Sequence, residues 1–392
     1  MILNGEIGRP DLMRVKTVRL LLALLLLPLG VVLPAQGSLN AQEPTQDVLS
    51  APPLPGLPYT LRWGPQRSGL VRYNRVEGLS VGVLGQMRPQ TFLGPLSVIG
   101  TARIGIADWE PNARTDLRSE TLQRRVTLSL FHELAAIDER ARHLGVGNSL
   151  LAALAGRDDG DYYRRSGVSL EWTPPELERR NVEIRGFAEY HRPAVSQTDF
   201  AVFKLGSDGF RFRDNLIADE GWVYGGQLAI MPWWGSDPNL VQGGLELTTE
   251  VATGDFEYAR AALLARLVVP LPSDMRLGLE AVAGRGWGAL TTQRMWHLGG
   301  PSSLRGYDPR RLSGSSFARA RGELERMYAF GSISLFSDLG WAGESGSYSS
   351  DDALYSVGVG VSLLDGLVRL DSAWGLREPR TFRLDLYLGA IL

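Results

Sequence analysis

The chain has 392 residues, 44% of them hydrophobic, with 41 lysines and arginines against 43 aspartates and glutamates, no cysteine and a formal net charge of −2. A near-neutral chain without a basic stripe excludes a nucleic-acid partner, and the lack of cysteine excludes a disulfide framework. After the first fifty residues no stretch approaches the roughly 20 apolar residues that a membrane helix requires.

Arg14, Lys16 and Arg19 precede an apolar run from Leu20 to Leu33, which ends in Pro34-Ala35-Gln36-Gly37. A basic segment, a short apolar core and small residues at a cleavage position describe a secretory signal peptide, expected over 1–37. Pro28, Gly30 and Pro34 interrupt the run and argue against a single anchor helix. Residues 38–70 are rich in proline, glycine, serine and glutamine, and the expectation there is a disordered periplasmic tether or plug.

From Val71 onward the pattern has period two, the mark of strands with two different faces. Residues 259–269 place Ala259, Ala261, Leu263, Ala265, Leu267 and Val269 on one face, with Arg260 and Arg266 on the other. Tyr355 to Leu363 alternates apolar with small or polar residues, and Phe382, Leu384, Leu386 and Leu388 repeat the rhythm to the end. In a soluble sheet the apolar face would meet a core, whereas in a membrane barrel it meets lipid and the polar face lines a wet lumen. The export signal, the many charges of both signs on the polar face and the absence of βαβ-type helices favour the barrel. Trp233, Trp234, Trp287, Tyr328, Trp341 and Trp374, near strand ends, suit an interfacial girdle.

The fold expected is therefore all-β, an antiparallel transmembrane β-barrel over 71–392. About 14 strands are counted, the first three at 71–87, 94–107 and 121–134. Twelve to sixteen stay open, because 135–160 reads as a loop with a short helical piece and 198–213 has room for a strand pair. An even number is required of such single-chain barrels, and closure is required because an open edge in lipid strands its backbone polar groups.

Strand parity selects candidate site residues. With Ile333, Leu335, Leu339 and Trp341 toward lipid, Phe336 and Asp338 point inward, and Leu324 outward leaves Glu323 and Glu325 inward. If the loop that carries Arg305 returns into the lumen, its guanidinium is placed to meet Asp338 and a glutamate as a multidentate ion pair. Gly306 lets the backbone turn sharply beside it. Other chemistry is thin. His132, His143, His191 and His297 lack metal-ligand spacing. Asp158, Asp159 and Asp161 read as a solvated turn ahead of a strand rather than a cation site. Ser302-Ser303 with His297 and Asp308 lacks a fixed nucleophile. No enzyme activity, cofactor or metal is expected.

Over about the last hundred residues the chain resembles the superfamily of BamA, TamA and two-partner-secretion transporters, the bacterial surface antigen family. Gly299-Gly300 with Leu304-Arg305-Gly306-Tyr307 is similar to that family's in-folded loop, and Phe336-x-Asp338-x-Gly340 to the strand motif facing it. The segment from Gly366 to Ala373, which contains Arg369 and Asp371, is similar to its last hairpin, and Arg72 to Leu79 to the opening strand of some members. Residues 38–70 are too short for the periplasmic POTRA domains usual in the family, so a short member without them is expected. The resemblance implies a loop latch made by Arg305, Gly306, Tyr307, Asp338, Glu325, Glu323 and Phe336. It also implies a bacterial cell outer-membrane location among lipid and lipopolysaccharide, and a monomeric barrel. The function it implies is translocation or membrane insertion of a partner polypeptide, or of lipid, with the first and last strands as the weakest seam. The competing expectation is a passive pore for small solutes.

Overall fold

The computed structural model describes residues 59–388, with 64–68, 92–93, 122–123, 175–180, 207–208, 236, 238 and 365–367 outside the description. The expected signal peptide and most of the expected tether, 1–58, thus lie outside the described residues. In chain order the strands are β1 (Tyr59–Trp63), β2 (Val71–Asn74), β3 (Gly78–Met87), β4 (Gln90–Thr91), β5 (Gly94–Gly105), β6 (Pro111–Glu120) and β7 (Arg125–Ala136). A helix, α1 (Val146–Ala155), precedes β8 (Tyr162–Thr173), β9 (Val182–Pro193), β10 (Gly221–Ile230), β11 (Trp233–Trp234), β12 (Gln242–Gly254), β13 (Tyr258–Leu271) and β14 (Met275–Gly288). The chain ends with β15 (Trp296–Leu298), β16 (Leu312–Gly314), β17 (Ser316–Tyr328), β18 (Gly331–Gly343), β19 (Leu354–Leu363), β20 (Val368–Gly375) and β21 (Phe382–Leu388).

All but β15 and β16 belong to one sheet of nineteen strands, and every ladder is antiparallel. The two-residue β4 and β11 only extend their neighbours, and β1 and β2 lie end to end along one edge of β3. That leaves sixteen columns in an up-and-down meander, the fold of an outer-membrane β-barrel. The expected fourteen was short by two for identifiable reasons. Residues 71–87 are not one strand but the hairpin β2–β3, turned at 75–77 with Gly78 at φ 63°. The other is β6, whose Asn112, Arg114, Asp116 and Arg118 alternate with the weakly apolar Ala113, Thr115, Leu117 and Ser119, too faint a pattern to count. Tyr59–Trp63, within the segment expected as a tether, pairs with Val83–Met87.

The meander places three long connections, 137–161, 194–220 and 289–315, on one rim, and short turns on the other. Leu263, Leu335, Leu339, Leu384 and Trp374 are exposed on the outer face, as alternation requires. Trp341 is the exception among the girdle residues: it is buried, with Tyr348 edge-on at 5.3 Å. No helix among the described residues is long and apolar enough to cross a membrane. The long connections fold back against the inner wall, where apolar clusters and charge networks are found together.

Candidate functional site: an arginine-tipped loop in the lumen

The connection 289–315 leaves β14 and returns to β17. Its stem is the small ladder of β15 and β16, with Trp296 opposite Gly314 and Leu298 opposite Leu312. The stem is apolar on the side that meets the wall. Trp296 stacks on Phe317 at 4.4 Å, and Leu298 joins Ala262, Leu264, Val282 and Ala342 in one cluster. Beyond the stem the loop tightens on itself. Gly300 donates its N–H to the Tyr307 carbonyl at 2.8 Å, and the Ser303 hydroxyl accepts the Gly299 N–H at 2.8 Å. Leu304 and Tyr307, both 0% exposed, pack against Leu354 of β19.

This anchoring delivers Arg305 to the inner wall of β17, β18 and β20. Its Nε and Nη2 donate to the two oxygens of Asp338 at 2.9 and 2.7 Å, and its backbone N–H donates to the same carboxylate at 3.1 Å. Nη1 donates to Glu323 at 3.0 Å and lies 3.5 Å from Asp371. The guanidinium carbon sits 3.4 Å from the Phe336 ring centroid, a cation–π contact shielded from water. The acids are shared: Arg321 reaches Asp338 at 3.1 Å, while Arg369 reaches Glu323 at 2.7 Å and Asp371 at 2.8 Å. Three carboxylates face three guanidinium groups, so the cluster is charge-balanced as well as hydrogen-bonded. That balance is what makes burial of ionic groups tolerable.

The remaining expected residues divide. Gly306 has φ 85°, and a Cβ there would lie 3.0 Å from the Gly375 nitrogen and the Trp374 carbonyl carbon, so both conformation and space demand glycine. The Tyr307 hydroxyl donates to the Tyr355 carbonyl at 2.8 Å and accepts the Arg377 N–H at 3.0 Å, tying the loop to the β20–β21 connection. Glu325 does not meet Arg305. It pairs with Arg276 at 2.5 Å and accepts the Ser332 hydroxyl. Two residues further along β17 is a displacement of roughly 7 Å, beyond an arginine already held at Asp338.

Residues not singled out from sequence complete the cluster. Arg321, opposite Asp338 in the β17–β18 ladder, is one. Gly358 and Gly360 of β19 are the others. A Cβ on Gly358 would lie 2.3 Å from the Phe336 ring, and one on Gly360 would lie 2.5 Å from an Asp371 oxygen. Glycine at successive lumen-facing positions of an otherwise β-branched strand was the available signal.

The acidic stretch 158–161 is corrected by the structure. Asp158 is 3% exposed, and Asp161 binds Arg75, Arg213 and Arg310 at 3.1, 3.0 and 3.3 Å. Asp158 is buried, Asp159 and Asp161 are largely covered, and all three are answered by arginines, because the connections 137–161, 194–220 and 289–315 converge there. No grouping of three or more His, Cys, Asp or Glu side chains that could hold a metal occurs among the described residues. His297 bonds Ser313 at 2.8 Å and the Thr292 carbonyl at 2.9 Å, Ser303 is engaged with Gly299, and Asp308 pairs with Arg383 at 2.7 Å.

A sixteen-column antiparallel meander with apolar residues outward, and an arginine-tipped connection folded inward, defines the class as an outer-membrane β-barrel with an occupied lumen. Among solved structures the chain is similar to BamA from Haemophilus ducreyi lacking POTRA domains 1–3, with TM-score 0.54, 11% identity, and 84% of this chain covering 70% of that one. CdiB from Escherichia coli matches with TM-score 0.46 and 14% identity over 86% of this chain and 62% of that one. OccK11 from Pseudomonas aeruginosa matches at 0.38 and 13%, over 84% and 90%. At such identities the likeness to BamA is one of fold. No known family model and no curated protein matches the sequence.

Proposed function

We propose that this chain is a monomeric barrel of the bacterial outer membrane, seated among lipid and lipopolysaccharide, that passes or inserts a partner polypeptide or lipid under control of the 289–315 loop. The observation that carries the reading is the seating of Arg305 on Asp338, Glu323 and Phe336. A loop tip pinned to three separate strands suits a gate, because a balanced ion cluster is specific in position without being strongly stabilising. Arg305 is also the one member of the cluster contributed by a loop, so its release leaves the wall intact: Asp338 keeps Arg321, and Glu323 and Asp371 keep Arg369. The fold likeness to BamA supports the barrel on which this reading rests.

Single-channel conductance in a planar bilayer, wild type against Arg305→Ala, tests this. Small, flickering conductance that grows at least severalfold in the variant is expected. Large, steady conductance unchanged by the substitution would identify a passive solute pore and remove the gate.

A further inference from the structure

We propose that residues 157–161, directly after α1, clasp the first and last strands together from inside the lumen, so that side chains rather than a strand ladder hold that seam. The proposal rests on the barrel reading but not on what the barrel carries. Among the described residues no ladder joins β21 to β1 or β2. An unpaired edge at that depth exposes N–H and C=O groups to a medium that cannot solvate them. Something else has to bridge the two sides, and α1 stands next to both β2 and β21.

On the first-strand side the contact is buried. Arg75, in the turn between β2 and β3, donates its backbone N–H to Asp158 at 2.9 Å. Its guanidinium donates to the Asp158 carbonyl and to the Asp161 carboxylate, both at 3.1 Å. Arg75 and Asp158 side chains are both fully covered. Ala152 of α1 packs with Tyr73 of β2 and with Phe212. On the last-strand side, Arg383 of β21 donates to both oxygens of Asp159 at 3.1 Å. Arg157 donates to the Leu384 backbone carbonyl and lies against the Asp385 carboxylate, so one guanidinium answers both the strand's backbone and its side chain.

The local backbone aims these groups. Gly156 ends α1 in the left-handed region at φ 70°, its N–H bonded to the Ala152 carbonyl and that of Arg157 to the Leu151 carbonyl. This is a helix stop that turns the chain sharply. A Cβ on Gly156 would lie 2.4 Å from the Phe210 ring, so the turn is also packed in place. The two halves differ in strength. The Arg75–Asp158 half is dry, whereas Arg157 keeps a quarter of its side chain exposed. The seam accordingly parts at β21, with the strip staying on β2.

Amide hydrogen exchange on the full chain in lipid nanodiscs, read by mass spectrometry, tests this with the double variant R157A/D159N. Exchange over 382–388 should quicken at least tenfold, with β2 and β17 unchanged. Unaltered exchange in β21, or uniform quickening in every strand, would overturn the clasp. Should the double variant not fold, Arg157→Lys, which keeps the charge but loses the fork, should quicken β21 a fewfold, and no change would overturn the proposal equally. Because none of these variants touches the Arg305 cluster, a failed clasp leaves the conductance test of the gate standing.

Discussion

The cluster around Arg305 and the cluster around Asp158 to Asp161 are both knots of arginine and carboxylate in one lumen, and they are built in different ways. In the first, Glu323, Arg321, Asp338, Arg369 and Asp371 stand on β17, β18 and β20, whose backbones are held by ladders whether or not the loop is present. Only Arg305 arrives from outside the wall. In the second, Arg75, Asp158, Asp161, Arg213 and Arg310 come from turns and connections, and each is positioned chiefly by the others. A receptor carved on a rigid sheet can lose its guest and remain a receptor. A knot of loops loosens as a unit when any strand of it is cut, because its members share their partners.

The largest expected effect tests the rigid half of that contrast. Asp338→Asn removes the one acid that two guanidinium groups and the Arg305 N–H share, leaving an unbalanced positive charge in a covered site. A loss on the order of 3–5 kcal/mol is expected for breaking a buried pair of this kind, read as a fall in the unfolding midpoint in denaturant. Arg305→Ala should cost less, about 1–3 kcal/mol, since every acid keeps a partner, while proteolysis within 289–315 quickens. If the two variants proved equally destabilising, the wall would not be preformed and the contrast between the clusters would fail.

Gly358→Ala sharpens the same point without touching a charge. A Cβ there overlaps the Phe336 ring that backs Arg305, so a cost of roughly 1–3 kcal/mol is expected, together with the mobile-loop behaviour of Arg305→Ala. A neutral result would show that the ring has room to turn aside.

Coupling between the clusters is testable through Asp308, which binds Arg383 at 2.7 Å but is three-quarters exposed. A double-mutant cycle of Asp308→Ala with Arg305→Ala should give an interaction below about 1 kcal/mol, as exposed pairs do. A larger value would make gate and clasp one device.

The smallest effect is in pH. Burial opposes ionisation of Asp159, yet Arg383 and Arg157 outweigh it and hold its carboxyl below the ordinary carboxylate value. A depressed folded value means that the contribution of Asp159 is complete above its unfolded value of roughly 3.9 and is lost only as pH falls through the lower folded value. Protection of β21, corrected for intrinsic exchange, should therefore stay level from pH 7 to about 4 and decline below that. A decline already at pH 5 to 6 would show that Asp159 is not held by its arginines.

By itself, alternation determined that the chain forms strands with two unlike faces, since a period of two states directly which side chains share a face; the export signal and the charges of both signs on the polar face made that a barrel. It also placed Asp338, Glu323 and Phe336 on one surface, because parity along paired strands is local arithmetic, whereas Arg305, on a loop, was reached through the resemblance of the segment Leu304-Arg305-Gly306-Tyr307 to an in-folded loop. What alternation cannot carry is distance along a strand or the meeting of loops. Glu325 has the right parity and the wrong depth. β6 was invisible because its lipid face is barely apolar, and the glycines of β19 gained meaning only beside the Phe336 ring and Asp371. The clustering of Asp158, Asp159 and Asp161 with Arg75, Arg213, Arg310 and Arg383 joins residues up to 224 positions apart. Such pairings exist only once the sheet has curled and brought its three long connections into one lumen, so only the tertiary structure decided them.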